Sequence, residues 1–387
     1  MFEPLHPTTP EELRDQLADA GRANRSVEVF GANSKHLMGG PRAPASVQIS
    51  TTHLNRIIQY EPRDLTVSVQ AGMRFADLSR ELARHGQMIP LDGPWSSEAT
   101  VGGMIAANIS GSRRRLYGTA RDLVIGMQFA TLDGKLVQSG GMVVKNVAGL
   151  DMAKLLIGSF GTLAAITSVN FKLTPVPPVA RTLLFRFPDA KSAVEARNAA
   201  LQGVLTPVAV DILNPRLCAH LQLPETNFLL ALQFAGNQEV IGRSTREAEK
   251  LGVARALAGA GEQEFWNAIQ TMTPRHLETC KDGCVVRVST TLADVGAVFA
   301  STEVPCHSHA ASGVTRAWFP GPDEARLFLL ACVKNGWKSL VEYSGESAKR
   351  GLTLWPEPGS DFAIMKRIKD MFDPAGLLNN GRLYGRL

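Results

Sequence analysis

The stretch PWSSEATVGGMIAANISGSRRRLYG, residues Pro94 to Gly118, decides how the first half of this chain folds. It combines a glycine pair with alanines, short hydroxyl side chains and three consecutive arginines. A glycine inside a helix costs about 1 kcal/mol relative to alanine, so such a run needs a close neighbour to compensate. Two kinds of neighbour fit this pattern: a tightly packed element of the protein itself, or a large flat ligand.

The composition sets limits on the function. With 387 residues, of which 44% are hydrophobic and 20% charged, the chain is long enough for two or three domains and is not largely disordered. The net charge of +5 favours anionic ligands such as phosphates or carboxylates. The only dense basic run, Arg113 to Arg115, has no interleaved aromatic residues, so we expect no nucleic-acid partner.

The N-terminal residues and the cysteines bear on the compartment. The chain starts without a basic segment followed by an apolar one, and no apolar run approaches the roughly 20 residues of a membrane span. The five cysteines are sparse and lack the spacing that holds an iron–sulfur cluster. We therefore expect a cytoplasmic protein without a transmembrane segment, in which any iron–sulfur cluster belongs to another chain.

Composition and periodicity divide the chain into three parts. The proline cluster Pro175 to Pro178 predicts an extended linker and a domain boundary, so that residues 1–178 form the first domain. Strands and helices then alternate over residues 179–350, which is typical of an α+β sheet covered by helices on one side. Residues 351–387 read as a loop, a helix and a glycine-rich tail. Within the first domain, the pair Asp133-Gly134 predicts a hairpin with a type I′ turn.

Three small-residue segments follow one another in the first domain. Gly31 to Lys35 comes directly after a predicted strand, where consecutive backbone N–H groups can form a concave anion site. The opening stretch is the second segment, and Lys145 to Leu173 is the third. None of them is a G-x-G-x-x-G dinucleotide fingerprint or a phosphate-binding P-loop. Each alone is compatible with an ordinary turn or close packing, but the order of the three indicates a ligand.

Together these segments resemble the flavin adenine dinucleotide (FAD)-binding domain of the vanillyl-alcohol-oxidase and p-cresol-methylhydroxylase (PCMH) type. That family carries a pyrophosphate loop after an early strand. A P-x-x-G…T-V-G-G-x-x-A-x-N-x-x-G segment follows, and then G-x-D-x-x-x-L-x-x-G-S-x-G-x-L-x-x-x-T. The resemblance implies an α+β fold with a two-part FAD-binding domain (1–178), an α+β cap or substrate domain (179–350) and a C-terminal segment (351–387) that returns to the FAD-binding domain.

The resemblance also implies the cofactor and its contacts. In covalent members a histidine directly follows the glycine pair of the loop, whereas Asn33 stands there in this chain, so we expect non-covalent FAD. The expected cofactor-binding residues are Gly31, Ala32, Asn33, Ser34, Lys35, Pro90, Gly93, Thr100, Gly102, Gly103, Ala106, Asn108, Gly111, Gly118, Asp122, Gly149, Asp151, Gly158, Gly161, Ile166 and Asn380.

The substrate site is less well marked. Flavin-linked oxidation of a 2-hydroxy acid needs a base for the hydroxyl proton and a cation for the carboxylate. The family's metal-associated H-x-G-D-G-N-x-H motif corresponds to CHSHAASGVTRAWF, Cys306 to Phe319, where the acidic residue and the second histidine are absent. His309, Arg287 and Arg316 are the candidate catalytic residues. The spacing of His307 and His309 suits a metal, but without acidic partners we expect no metal site.

The C-terminal residues indicate which subfamily of the PCMH-type proteins the chain resembles. MFDPAGLLNNGRL resembles the ending of the D-lactate and glycolate branch, with Asn380 in place of a proline. That branch includes the smaller flavin-fold subunit of bacterial glycolate oxidase. The resemblance then implies oxidation of glycolate to glyoxylate in a complex with a larger flavin subunit and an iron–sulfur subunit, peripheral to the inner membrane. A self-sufficient FAD-dependent D-2-hydroxy-acid (D-lactate) dehydrogenase and a non-catalytic assembly subunit with a vestigial FAD site remain open.

Overall fold

The first helix shows how local signals position an element. The computed structural model describes residues 3–143, 150–224, 226–385 and 387. Helix α1 (Pro10–Arg22) begins where Thr9 Oγ1 accepts the N–H of Glu12 at 3.1 Å, with proline at its first position. Leu13 and Leu17 are fully buried on one face of this helix. The N-cap and the apolar spacing in the sequence therefore account for this helix.

The first part of the chain consists of short strands and helices. In chain order its elements are α1 (Pro10–Arg22), β1 (Val27–Phe30), β2 (Val47–Ser50), β3 (Ile57–Glu61), β4 (Thr66–Gln70), α2 (Phe75–Ala83), β5 (Gln87–Met88), α3 (Val101–Ala106), α4 (Arg114–Tyr117), α5 (Ala120–Leu123), β6 (Val124–Ala130), β7 (Leu136–Gly140), α6 (Ala153–Leu156), β8 (Ala165–Lys172) and β9 (Thr174–Pro175).

These strands form two main sheets. An antiparallel five-stranded sheet has the order β3-β4-β8-β6-β7, and β1 pairs in parallel with β2 in a separate sheet. Apolar side chains of α2 and α3 pack against the five-stranded sheet in one core that includes Leu78, Val101 and Val169. Because β1 ends at Phe30, the Gly31 to Lys35 loop leaves the parallel pair directly at its edge.

The hairpin of β6 and β7 is present, but its turn differs from the prediction. Gly134 has a positive φ of 81°, whereas Asp133 does not, and a type I′ turn requires positive φ at both residues. The Gly134 N–H donates to Thr131 O at 3.1 Å, and Thr131 Oγ1 hydrogen-bonds the Asp133 carboxylate. This side-chain bond keeps Asp133 out of the left-handed region, so the predicted turn type was wrong although the hairpin was right.

The second part of the chain is built on longer strands. In chain order its elements are β10 (Val179–Phe187), α7 (Ala190–Gln202), β11 (Ala209–Leu213), α8 (Pro215–His220), β12 (Phe228–Gly236), α9 (Gln238–Ala248), β13 (Ala254–Ala258), α10 (Gly259–Gln270), α11 (Met272–Thr279), β14 (Cys284–Ser289), α12 (Val295–Ala300), β15 (Cys306–His309), β16 (Val314–Phe319), α13 (Pro322–Lys334), β17 (Lys338–Ser344), α14 (Glu346–Lys349) and α15 (Phe362–Phe372).

An eight-stranded antiparallel sheet dominates this part, in the order β13-β10-β12-β11-β15-β16-β14-β17. One face packs against α7, α9, α12 and α13 through apolar residues such as Val210, Cys306 and Ala317. Successive strand residues point to opposite faces, so the neighbours of these residues in sequence point away from the helices. That second face packs in part against the core of the first part of the chain, for example through Trp318.

The last segment of the chain returns to the first part. Lys369 Nζ on α15 donates to Thr162 O at 2.7 Å, and Asn379 Nδ2 donates to Phe160 O at 2.9 Å. Both bonds place residues after 360 beside the five-stranded sheet and the loop that follows β1. In the described ranges, no helix combines the length and the apolar character that a membrane crossing requires.

Candidate functional site

A cavity opens beside the loop that follows β1, and we call it the loop cavity. Its walls come from that loop, the start of α3, Phe160 and the C-terminal segment. A smaller cavity under α3 adjoins it. Of the expected cofactor-binding residues, the two cavities together are lined by Gly31, Ala32, Asn33, Ser34, Lys35, Thr100, Gly102, Gly103, Ala106, Gly161, Ile166 and Asn380.

The loop presents backbone donors to this cavity. Asn33 has a left-handed backbone with a φ of 55°, which turns the chain within the loop. Within the described part of the chain, the N–H groups of residues 32 to 35 donate to no protein acceptor. Successive free N–H groups in a turn of this kind form a concave site for an anion.

Two cations lie on the same cavity. Burial lowers the pKa of Lys35 to about 8, and its Nζ hydrogen-bonds Ser34 Oγ at 3.3 Å. Burial likewise lowers the pKa of Arg382 to about 10, and its guanidinium donates to Met38 O at 2.7 Å and lies 5.8 Å from the ring centre of Phe160. Neither cation forms an ion pair with a carboxylate among the described residues. This donor and charge set fits the pyrophosphate of FAD.

Several glycines of the first domain are explained by packing within the protein. A Cβ at Gly31 would lie 2.0 Å from Thr100 Oγ1, one at Gly102 would lie 2.8 Å from Ala71 Cβ, and one at Gly111 would lie 2.4 Å from Asp92 O. Neighbouring protein atoms therefore account for the missing side chains at these three positions, of which Gly31 and Gly102 also line the cavities. Gly103 differs, because a Cβ there would meet only Thr100 Oγ1, at 3.1 Å, and the residue borders both cavities.

Several expected contacts lie away from these cavities. Asp122 closes a capping box with Thr119 at the start of α5, and Gly158 donates its N–H to Ile105 O at 3.1 Å. Both residues therefore hold the fold in place. Gly149 lies outside the described residues. The expected residues that line neither the loop cavity nor its neighbour are Pro90, Gly93, Asn108, Gly111, Gly118, Asp122, Asp151 and Gly158.

A second cavity, of about 680 Å³, lies between the first part of the chain and the eight-stranded sheet. Its walls include most of residues 88–98 and residues 110–113 on one side, and α10, α11 and four sheet residues, His307, His309, Arg316 and Trp318, on the other. Two of the three predicted catalytic residues, His309 and Arg316, thus border one cavity. Its volume is in the range of small-molecule sites.

Behind this cavity lies a group that we call the Asp211 triad, formed by Asp211, His307 and His309. Asp211 Oδ2 accepts from His307 Nε2 at 2.7 Å and from the Ser112 hydroxyl, and Oδ1 lies 3.3 Å from His309 Nδ1. Burial alone raises the pKa of Asp211, but the two histidines outweigh it and hold the pKa below its usual range. The acidic partner that the motif around the histidines lacks is therefore supplied by another strand.

Asp211 was missed in the sequence analysis because it lies 98 residues before His309. The two are direct partners across β11 and β15, and His307 lies two residues earlier on the same face. The one local signal is that AVDIL places a charged residue inside an otherwise apolar buried strand. A buried acid of this kind usually has a partner, but its identity depends on strand register.

His309 is poorly suited to accept a proton. Its Nε2 lies 2.9 Å from Arg316 Nη1, and arginine can only donate, so this nitrogen is already an acceptor. Burial also lowers the pKa of His309 to about 4. A general base works best with a pKa near the operating pH and a free lone pair. The structure therefore disfavours His309 as the base, although it lines the cavity.

Two guanidinium groups contact one carboxylate and a third lies near them, in what we call the ionic cluster: Arg114, Arg287, Arg316 and Glu342. Arg316 Nε donates to Glu342 Oε2 at 2.6 Å, and Arg287 Nη1 lies 3.8 Å from Oε1. Burial lowers the pKa of Arg114, and the nearby Arg316 and Arg287 lower it further. Arg114 is therefore half-buried beside other cations rather than fully solvated. With three cations and one anion, the cluster carries an excess positive charge.

Glu342 connects the ionic cluster to the loop cavity. It lies at an irregularity of β17, between Val341 and Tyr343, which pair with successive residues of β14. Its carbonyl accepts the N–H of Gly39 at 3.1 Å, so the strand is bonded to the chain that leaves the loop. A β-bulge often redirects a side chain next to a functional site. The backbone of Glu342 thus links the ionic cluster to the chain that follows the loop.

Comparison with known proteins shows which protein family this chain is similar to. A model of the FAD binding domain matches residues 5–140, and a model of the C-terminal domain of FAD linked oxidases matches residues 350–383. The chain is 30% identical to glycolate oxidase subunit GlcE of Escherichia coli (strain K12), over 60% of this chain and 66% of GlcE. It is 26% identical to a D-lactate dehydrogenase of Archaeoglobus fulgidus, over the whole chain and 92% of that protein.

The fold comparison agrees. The structure superposes on alkyldihydroxyacetonephosphate synthase with a TM-score of 0.74 at 16% identity, covering 97% of this chain and 76% of that one. At this identity the likeness concerns the fold alone, and it is the α+β fold that the motifs predicted. The two family matches, together with the similarity to GlcE, support a PCMH-type FAD-binding protein with FAD as its cofactor.

Proposed function

We propose that this chain takes part in the oxidation of glycolate, or of a similar small 2-hydroxy acid, as the FAD-binding subunit of a complex. The partners would be a larger flavin subunit and an iron–sulfur subunit that receives the electrons, and the complex would lie in the cytoplasm or on the inner membrane. The similarity to glycolate oxidase subunit GlcE supports this assembly. The absence of an iron–sulfur cysteine motif in this sequence is compatible with it.

The observation that carries the proposal is the excess positive charge of the ionic cluster. The two carboxylate oxygens of Glu342 are shared by Arg316 and Arg287, while among the described residues the Arg114 guanidinium forms only a 3.3 Å bond to Ser110 Oγ. A group of cations that has fewer carboxylates than guanidinium groups attracts an anion. The carboxylate of a 2-hydroxy acid supplies one negative charge and two acceptor atoms, which match guanidinium groups.

Each residue has a separate role in the proposed reaction. Arg287 and Arg114 bind the substrate carboxylate, because Arg316 is committed to Glu342 and to His309. His307 accepts the hydroxyl proton, since its Nε2 bond to Asp211 leaves Nδ1 with a lone pair. His309 and Arg316 position this pair. FAD, when bound, supplies the acceptor for the two electrons of the oxidation.

The substitution Arg287→Met tests the carboxylate role. We expect the KM for glycolate to rise by about tenfold or more while the FAD content stays unchanged, because one charged contact to the substrate is lost. Dye reduction by the co-purified complex measures this. Arg216→Met is the matched control, because Arg216 is exposed and lies at the limit of contact, 3.9 Å from Glu303. An unchanged KM in the Arg287 variant would show that Arg287 does not bind the substrate carboxylate.

A self-sufficient D-2-hydroxy-acid dehydrogenase is the second candidate. The full-length similarity to a D-lactate dehydrogenase favours it, as does the presence of the loop cavity and the second cavity in one chain. The purified chain loaded with FAD, without partners, distinguishes the two. Rapid dye reduction with D-lactate would support the dehydrogenase, and activity only after addition of the partner subunits would support the complex.

A further inference from the structure

The Asp211 triad has the donor set of a metal site. Two imidazoles and a carboxylate suit divalent transition metals, and the ligand atoms of Asp211, His307 and His309 all lie within 4.8 Å of one another. All three residues are buried. Strand pairing sets them on one face of the eight-stranded sheet, so the arrangement does not depend on a flexible loop.

Arg316 contacts this triad and changes its chemistry. Its Nη1 donates to His309 Nε2 at 2.9 Å, while Glu342 holds its Nε at 2.6 Å and its Nη2 at 3.2 Å. Because Nε2 accepts, the ring proton of the neutral His309 is on Nδ1, which faces Asp211 Oδ1 at 3.3 Å. The ligand atom that the triad would offer a metal is therefore protonated.

A metal ion at the triad would meet two obstacles. It would have to displace the Nδ1 proton of His309, since a metal binds the lone pair of a neutral nitrogen. It would also bring two positive charges next to a guanidinium that burial and Glu342 fix in place. Repulsion between charges a few ångströms apart in a buried site amounts to several factors of ten in affinity.

We propose that Arg316 takes the place of a metal ion in this cluster. Its guanidinium provides a fixed positive charge beside the triad and sets the tautomer of His309, so that the site operates without a divalent cation. Removal of this charge converts Asp211, His307 and His309 into a metal-binding site. This assignment concerns the state of the triad and holds whether the substrate is glycolate, D-lactate or neither.

Equilibrium dialysis of the FAD-loaded protein against Zn²⁺ tests the proposal. Arg316 cannot be removed alone without leaving Glu342 buried and less well paired, so the test variant is Arg316→Met with Glu342→Gln. Glu342→Gln alone, which keeps the guanidinium, is the control. We expect the double variant to bind one Zn²⁺ per chain, on the order of a hundredfold more tightly than the wild type and the control. A further His309→Ala substitution should abolish that site.

Two results would overturn the proposal. One is a wild-type protein that binds one Zn²⁺ per chain and loses it on His309→Ala. The other is a double variant that keeps its FAD and unfolds cooperatively, yet binds no Zn²⁺. Should the double variant not fold, ¹⁵N spectra of histidine-labelled wild-type protein decide the matter. The proposal requires His309 to be protonated at Nδ1 and unprotonated at Nε2, and the opposite tautomer would contradict it.

Discussion

The loop cavity and the Asp211 triad differ in how their charges are satisfied. At the loop cavity, Lys35 and Arg382 have no carboxylate partner among the described residues, and several backbone donors are free. In the Asp211 triad, the carboxylate is held by two histidines and a serine hydroxyl of the protein itself. The loop cavity is thus complete only with an anionic ligand, whereas the triad is complete without one.

This difference predicts two kinds of mutational effect. Substitutions at the loop cavity should weaken the binding of FAD and leave the fold largely intact, because the missing partner is the cofactor. Substitutions inside the triad should reduce the stability of the eight-stranded sheet, because they leave buried polar groups without partners. An account in which both regions serve only substrate binding would predict no such separation.

The largest effect is expected at the centre of the triad. Asp211→Ala should lower the free energy of unfolding by about 3 kcal/mol or more, because Ser112, His307 and His309 all lose their charged acceptor. Urea unfolding measures the change. Asp323→Ala is the matched control, because the side chain of Asp323 is 90% exposed, and it should change stability by less than about 1 kcal/mol. Equal losses in the two variants would refute the central role of Asp211.

The second largest effect is expected in how the free energy of unfolding depends on pH. Unfolded His309 takes up a proton near pH 6.5, whereas burial lowers its pKa in the folded protein to about 4. The unfolded state thus binds more protons between these values, so stability should be full above pH 6.5 and fall toward pH 4, by about 3 kcal/mol at most. Unfolding curves of wild type and His309→Gln across this range test it. The variant should show a flatter profile, and identical slopes would exclude His309 as the cause.

The smallest effect concerns the loop cavity alone. Gly103→Leu should weaken FAD binding by about 1–3 kcal/mol, on the order of ten- to a hundredfold, because the side chain would enter the space that the two cavities share. The unfolding midpoint of the eight-stranded sheet should change little. Gly261→Leu is the control, because a Cβ at that helical glycine meets nothing within 4 Å. If the Gly103 variant keeps its full FAD content, the cofactor does not bind beside Gly103.

The two regions also differ in how far the sequence could predict them. The loop after β1 is contiguous, so its glycine, its polar residues and Lys35 could be assigned from their order alone. The neighbours of several glycines could nevertheless not be identified, because a sequence does not show that Thr100, Ala71 and Asp92 fill the space beside them. The position of a glycine in the sequence indicates that there is no room for a side chain. It does not identify the neighbouring atom that occupies the space.

The triad and the ionic cluster could not be predicted in the same way. Asp211, His309, Arg316 and Glu342 come from four different strands, and only the sheet order brings them together. His309, Arg287 and Arg316 could be proposed from one motif and one strand of the sequence. Their partners Asp211 and Glu342 could not be assigned from the sequence. Their charges become interpretable only when the register of the strands is known.

The most direct test of the whole account is a crystal structure of the chain with FAD. The account predicts that the pyrophosphate lies in the loop cavity, within hydrogen-bonding distance of the N–H groups of residues 32 to 35 and of Lys35 Nζ. Gly103 should then border the cofactor without an intervening side chain. A pyrophosphate bound at the second cavity, or a loop cavity that stays closed around its own side chains while FAD binds elsewhere, would contradict it.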